Sequence, residues 1–199
     1  YSCGSSVSPV DQGLIDQVMH IGNGSEPQGL DPHIVTGVPE HHLLITMCEG
    51  LTISNPEGGA NLPGMAESWE ISEDGKTYIF NIRKDAKWSN GDDFVAADMV
   101  WSWMRVLTPS LGSQYPDMLY YVVGAEDFNT GVITDFSKVG VKALDEKTLQ
   151  VKLNNPTPFF LGLLSHYSTW PVHKKTVLEF GDIDGDGDSA GHTVTLDVT

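Results

Sequence analysis

The chain has 199 residues, which suits one domain or two small ones, and 40% of them are apolar, enough for a packed core. Its 27 acidic residues against 11 lysines and arginines give a net charge of -16, a balance that repels nucleic acid and anionic membrane surfaces. No run approaches the ~20 apolar residues that span a bilayer, no hydrophobic signal core is present, and two cysteines make no disulfide framework.

Tyr1-Ser2-Cys3-Gly4-Ser5-Ser6 puts a cysteine among small residues at the start. It resembles the mature end of a bacterial lipoprotein, with Cys3 as lipid anchor; the alternative is an exposed, unpaired cysteine in a leader. Ser2 fits the lipobox and Tyr1 does not. Val10 to Met19 reads as a weakly structured lead-in. His20-Ile21-Gly22 is expected as a short strand, and Asn23-Gly24-Ser25 as its turn. Pro32 biases Asp31 away from helix, so Leu30-Asp31-Pro32-His33 runs extended or turned. Pro39 suits a first helical turn, with Leu44, Met47, Cys48 and Leu51 as an apolar face and Gly50 as the stop. Cys48, on that face, reads as a buried small hydrophobe rather than a nucleophile.

From Gly64 to Trp103 the pattern is strand, turn, strand, loop and helix. Ser72-Glu73-Asp74-Gly75 is turn chemistry, with Gly75 free to take a positive φ. From Thr77 to Arg83 the chain alternates: Tyr78, Phe80 and Ile82 point one way and Thr77, Asn81 and Arg83 the other, with Ile79 as the exception. Asn90-Gly91 marks a turn, and Asp92 and Asp93 are expected near a helix N-terminus. In that helix Ala97, Val100, Trp101 and Met104 fall at i, i+3, i+4 and i+7 and form one apolar face. Thr108-Pro109 ends it, and Ser113-Gln114-Tyr115-Pro116 is a loop. Val139–Ala143 and Thr148–Leu153 form a hairpin about Asp145-Glu146, with Leu149, Val151 and Leu153 inward. Phe159 to Leu164 makes a helical turn or two.

His41 and His42 are adjacent, about 100° apart on a helix, and cannot easily share one metal. The other histidines are scattered. No His-Glu-x-x-His spacing, nucleophile elbow, phosphate loop or Cys-x-x-Cys appears, so the sequence makes no positive case for an enzyme.

The order AESW…DGKTYIFNIRKDAKWSNGDDFVAADMVWSWMR, with NGSEPQGLDPHIVTGVPE upstream and VGVKALDEKTLQVKLNNPTPFFLGLL downstream, resembles the extracytoplasmic oligopeptide-binding proteins, the solute-binding components (family 5) of peptide ABC importers. The likeness runs from about Met19 to Gly181. It implies an α/β fold, a periplasmic-binding-protein-like (type II) partial first lobe with an α+β subdomain. The implied division is a tether over 1–18, an incomplete first-lobe subdomain from 19–51 and 160–181, a smaller α+β subdomain over 52–159, and an acidic Asp/Gly tail over 182–199. The implied function is peptide binding without catalysis or a required cofactor, at the periplasm or the outer face of the cytoplasmic membrane. Peptides and a membrane ABC permease are the implied partners, and nucleic acid is not one.

In the family the segment matching Thr36, Gly37 and Val38 offers backbone groups to the peptide as an added strand would pair; without the resemblance it is an ordinary loop. A family tyrosine stands at the cleft where Tyr115 falls, and the other reading packs Tyr115 under its own loop. One departure is Val95, where the family has Ser or Thr as helix cap; the loss is roughly 1 kcal/mol unless Asp93 substitutes. Another is that full members continue for several hundred residues into a second lobe, so this chain reads as a truncated first-lobe portion, with a partner chain as one source of the missing lobe. The alternative function is a structural or assembly module that reuses the lobe as a scaffold, its acidic tail a calcium-dependent connector.

In that tail Asp182, Asp184 and Asp186 take the first, third and fifth places of a calcium loop, with Gly187 at the sixth and Asp188 at the seventh. Position twelve is Thr193, not the bidentate glutamate of an EF-hand, and Thr193 to Val198 alternates like a strand. The tail is thus either a looser calcium-binding Asp-Gly loop or a solvated acidic linker.

Overall fold

The computed structural model describes residues 7–19 and 21–180. Cys3, His20, the four aspartates from Asp182 to Asp188 and the strand pattern of 193–198 lie outside the described residues. Among those described, no helix is long and apolar enough to cross a membrane.

The expected lead-in is instead a helix, α1 (Pro9–Asp16). The reason is local: Ser8 Oγ accepts the Asp11 N–H at 3.1 Å and Pro9 presets the first turn. No strand forms at Ile21 and Gly22, which find no partner edge. Helix α2 (Val38–Met47) starts at Pro39's turn as expected, and of its anticipated apolar face Leu44 and Leu51 are buried, Leu51 beyond the helix's end. Met47 is exposed, and Cys48, already in extended backbone as the helix cap, is exposed too. Gly50 does not stop the helix. It lies against Trp170, where a Cβ would come within 2.4 Å of the ring's Cδ1 and 2.7 Å of the Leu164 carbonyl oxygen.

A two-stranded ribbon, β1 (Thr52–Ile53) with β2 (Leu62–Pro63), leads to β3 (Ala66–Ile71) and β4 (Thr77–Ile82). Gly75 takes φ +68° in the turn between β3 and β4, the left-handed conformation that a side chain would strain. Alternation along β4 holds: Tyr78, Phe80 and Ile82 are buried while Thr77, Ile79 and Asn81 are half-buried. Helix α3 (Ala96–Leu107) and the short α4 (Ala125–Asn129) precede β5 (Val141–Ala143) and β6 (Thr148–Lys152). The four longer strands form one antiparallel sheet in the order β3-β4-β6-β5. Phe80 pairs with Trp69 on one side and with Leu149 on the other, so the inward residues form rows across the sheet. Helices α5 (Phe160–Leu163) and α6 (Lys174–Phe180) close the described chain.

The anticipated single apolar face of α3 understates its burial. Every residue from Met99 to Leu107 is buried, while Ala97, expected on the apolar face, is exposed. The helix is enclosed because β5, β6, α4, α6 and the 3-10 turns at Pro116–Leu119 and Tyr167–Thr169 all pack against it. Asp92 and Asp93 stand three and two residues before the cap Val95, and their carboxylates are taken by other side chains. Asp93 pairs with Lys87 at 2.6 Å, and Asp92 accepts from Lys175 and meets His173, each at 3.1 Å. Valine at the cap is offset differently: Asp98 Oδ2 accepts the Val95 N–H at 3.0 Å, and the Ala96 N–H finds the Glu146 carbonyl at 2.8 Å.

Burying α3 on all sides requires a partner for each polar group. Ser102 Oγ donates to the Val172 carbonyl at 3.3 Å and accepts the Val172 N–H at 3.0 Å. Trp103 Nε1 donates to the Thr169 carbonyl at 2.9 Å. These three bonds pin the 169–172 segment to the helix. The main core spans the sheet, α3, Leu51, Phe160 and Leu164, and a second cluster gathers Leu44, Tyr167 and Trp170 with Val35 and Tyr115 beside them.

Candidate functional site

The second cluster lies under the segment 28–40. Its anchor is Arg105, 1% exposed at the side chain. The guanidinium takes the Asp31 carboxylate two-pronged, Nη1 to Oδ1 at 3.0 Å and Nη2 to Oδ2 at 2.5 Å, a geometry that fixes orientation as well as distance. Nη1 also meets His33 Nδ1 at 3.0 Å, and His33 Nε2 meets the Trp170 carbonyl at 2.9 Å. Since arginine only donates, Nδ1 accepts and Nε2 carries the proton: the ring is the neutral Nε2–H tautomer. Burial first, and then the Arg105 charge, hold His33 down to about 4, against smaller opposing effects of Asp31 and the Trp170 carbonyl. Burial pushes the Asp31 carboxyl up, but the Arg105 hydrogen bonds and charge outweigh it, and the group stays below its ordinary value.

Asp31 also shapes the backbone that follows. Its Oδ1 accepts the His33 N–H at 3.0 Å, and its carbonyl accepts from Ile34 and Val35 at 3.1 Å each. A second clamp comes from Glu40, 4% exposed, whose Oε1 accepts the Gln28 N–H at 2.7 Å. The Glu40 carboxylate runs beneath Gly37, where a Cβ would lie 1.9 Å from Oε2. A side chain at this position would have to push the Glu40 carboxylate aside.

Between these clamps stand three of the residues anticipated as ligand-facing. Thr36 and Val38 are exposed and Gly37 is half-buried. Gly37 is extended, with φ -87° and ψ 159°. The amide N–H groups of Thr36, Gly37 and Val38 make no hydrogen bond to the described residues. Tyr115, the fourth, comes from a distant loop and its hydroxyl reaches the Thr36 carbonyl at 3.5 Å. The structure therefore brings all four together.

Sequence reasoning missed the rest of the wall. Tyr115 meets His166 edge-on at 5.2 Å and Tyr167 at 6.2 Å between ring centroids, while His41 lies 5.6 Å from Tyr167. Burial, and next Tyr115, push the Tyr167 phenol up to about 12, so it remains a neutral donor. Burial and then the His41 charge lower His166. Nothing in the spacing of His41, Tyr115 and His166 marks them as neighbours; only the packing of α2 against the 166–169 turn does. Among the described residues, no group of three or more His, Cys, Asp or Glu is placed to hold a metal ion. The wall thus offers backbone donors from the extended Gly37 and its neighbours at the start of α2, flanked by aromatic faces.

Residues 62–196 match the signature described as "Bacterial extracellular solute-binding proteins, family 5 Middle". The chain belongs to family 5 of the bacterial extracellular solute-binding proteins. The match runs past Gly181, where the resemblance read from the sequence ended. This family 5 chain is 44% identical over 170 residues to the periplasmic oligopeptide-binding protein OppA of Escherichia coli K12, covering 83% of itself and 30% of that protein. Among solved structures it is similar to Haemophilus influenzae OppA in complex with RPPGFSPFR (TM-score 0.75, 42% identity, 80% of this chain and 31% of that one). It is likewise similar to the substrate-binding domain of an oligopeptide ABC transporter from Bacillus anthracis (TM-score 0.74, 38% identity, 79% and 31%). The chain spans about 30% of the length of the relatives it matches. It is a mixed α/β piece matching part of OppA-type binding proteins, a family of solute binders rather than enzymes.

Proposed function

We propose that this chain supplies one wall of a peptide-binding site in the extracytoplasmic solute-binding component of an ABC peptide importer. The observation that carries the reading is the extended Gly37 backbone leading into the start of α2, with the Thr36, Gly37 and Val38 amides unbonded to the described residues and Tyr115 at their border, in a chain of the solute-binding family. Backbone donors in an extended register pair with any peptide, whatever its side chains, and so suit a protein that takes many sequences. Tyr115 stacks on or hydrogen-bonds the ligand at the edge of that strand. No chemistry on the ligand is needed: capture and lobe closure around it use binding energy alone.

The type II lobe and its division, 19–51 with 160–181 against 52–159, belong to the same proposal, as do the periplasmic location and the permease as recipient. Cys3 as lipid anchor predicts a diacylglyceryl adduct in the intact mass of native protein; an unmodified Cys3 removes the anchor. The function is tested by calorimetric titration with a mixed tri- to pentapeptide pool and with RPPGFSPFR. Binding that weakens at least about tenfold in Tyr115→Ala supports it, in line with the 1.4 kcal/mol that a tenfold change in Kd represents. Silence across the pool overturns it.

A further inference from the structure

Arg105 is 1% exposed, and its guanidinium holds Asp31, at the start of the turn that leads to Thr36. Replacing a buried ionic group by apolar residues is often neutral or stabilising, so stability alone does not explain it. What the trio supplies is direction. The guanidinium plane sets the Asp31 carboxylate, and the carboxylate and carbonyl of Asp31 set the turn through Val35 from which Thr36 emerges. His33 joins that turn to the Trp170 carbonyl, at the end of the turn that carries His166 and Tyr167. The backbone donors and the aromatic wall thus share one anchor, set in a helix enclosed by core.

We propose that Arg105, acting through Asp31 and His33, is the positioning residue that holds the Thr36–Gly37 backbone, and with it the start of α2 at Val38, in register with the Tyr115–His166 wall. A segment fixed before its ligand arrives loses less freedom on binding, and that difference appears as affinity. The inference rests on the peptide-capture reading for its consequence, but the ordering of the segment stands apart from it.

Two substitutions at His33 divide the anchor. His33→Asn keeps an acceptor where Nδ1 meets Arg105 and gives up the Trp170 bond; His33→Gln reaches Trp170 and gives up the acceptor for Arg105. Arg105→Lys, which keeps the charge and loses the fork, is the third variant, and the His33 pair decides should it fail to fold. The readouts are backbone 15N order parameters at Thr36, Gly37 and Val38, normalised to Phe80 and Leu149 in the sheet, and Kd for RPPGFSPFR. With positioning through Arg105, His33→Gln drops the three order parameters from about 0.85 to below about 0.6. The same variant weakens the peptide about tenfold, and His33→Asn keeps the order parameters at about 0.85 and Kd within about twofold, although both variants lower the melting temperature. Unchanged order parameters in His33→Gln, or equal losses in the two variants, overturn the proposal. If wild-type protein binds no peptide, the capture reading fails while the order parameters still decide the positioning role.

Discussion

Acid should destabilise this protein in a window that the His33 pocket sets. In the unfolded chain the imidazole titrates at its ordinary 6.5, and in the fold it is held down to about 4. Between those values the unfolded chain binds a proton that the fold refuses. Stability is therefore complete above about pH 6.5, falls as pH drops toward 4, and loses nothing more from His33 below that. At about 1.36 kcal/mol for each pH unit, the gap sets a ceiling of about 3 kcal/mol. Against the ~5–15 kcal/mol typical of a whole domain, that is a large share. Asp31 does not confuse the window: its lowered carboxyl stabilises the fold above its ordinary 3.8 and is lost only below it. His166, also lowered, adds a smaller slope of the same sign. Urea unfolding at pH 7.5, 6.0, 5.0 and 4.5 should show stability falling by about 1 kcal/mol per pH unit below pH 6. His33→Asn, with no group to titrate there, should lose most of that slope. An unaltered slope in the variant, or a folded-state His33 ring titrating near 6.5 by NMR, would refute the reasoning.

Three further outcomes are expected. Gly50→Ala drives a Cβ to 2.4 Å from Trp170 Cδ1 and 2.7 Å from the Leu164 carbonyl oxygen; a loss of about 3 kcal/mol in urea unfolding is predicted, and a loss under half a kilocalorie would mean that the close approach relaxes freely. Gly37→Ala sets its Cβ 1.9 Å from Glu40 Oε2, so the carboxylate must leave Gln28; about 1–3 kcal/mol should be lost, and an unperturbed Gln28 amide resonance would contradict it. If the aspartates from Asp182 to Asp188 form a calcium loop, calcium raises the thermal midpoint and Asp184→Ala with Asp186→Ala abolishes the rise; identical melts in calcium and chelator leave a solvated linker.

The sheet was legible because its signal is local. Alternation at Tyr78, Phe80 and Ile82, turn residues at Ser72 to Gly75 and the pattern at Leu149 and Val151 each state a face and a register within a few residues. Glycine was legible where it turns the chain, at Gly75, and misread where it lets two segments touch: nothing beside Gly50 announces Trp170. Cys48 and Met47 have the right spacing for a buried face, but no element comes to cover them among the described residues. The helix α3 was read as one-sided because periodicity reports contrast, and Ser102 and Arg105, polar in sequence, are buried through partners 70 and 74 residues away. Of the candidate site, Thr36 to Val38 and Tyr115 came from family likeness, and neither burial pattern nor spacing would have chosen them. His41, His166 and Tyr167 carry no sequence signal at all, since a tertiary turn alone makes them neighbours.

That difference between local and tertiary information bears on why the polar anchor is built as it is. An apolar plug under residues 31–35 would fill the same space, but dispersion is nearly indifferent to rotation about the plug. The fork of Arg105 accepts the Asp31 carboxylate in one plane, and the leftover Nη1 hydrogen finds His33 only if the ring presents Nδ1. His33 in turn reaches the Trp170 carbonyl only from that orientation. Each bond narrows the next, so three segments far apart in the chain are brought into one register. A site made of backbone groups has no side chains of its own with which to correct a misplaced strand. It needs its precision from behind, and an enclosed helix carrying one arginine is where this chain keeps it.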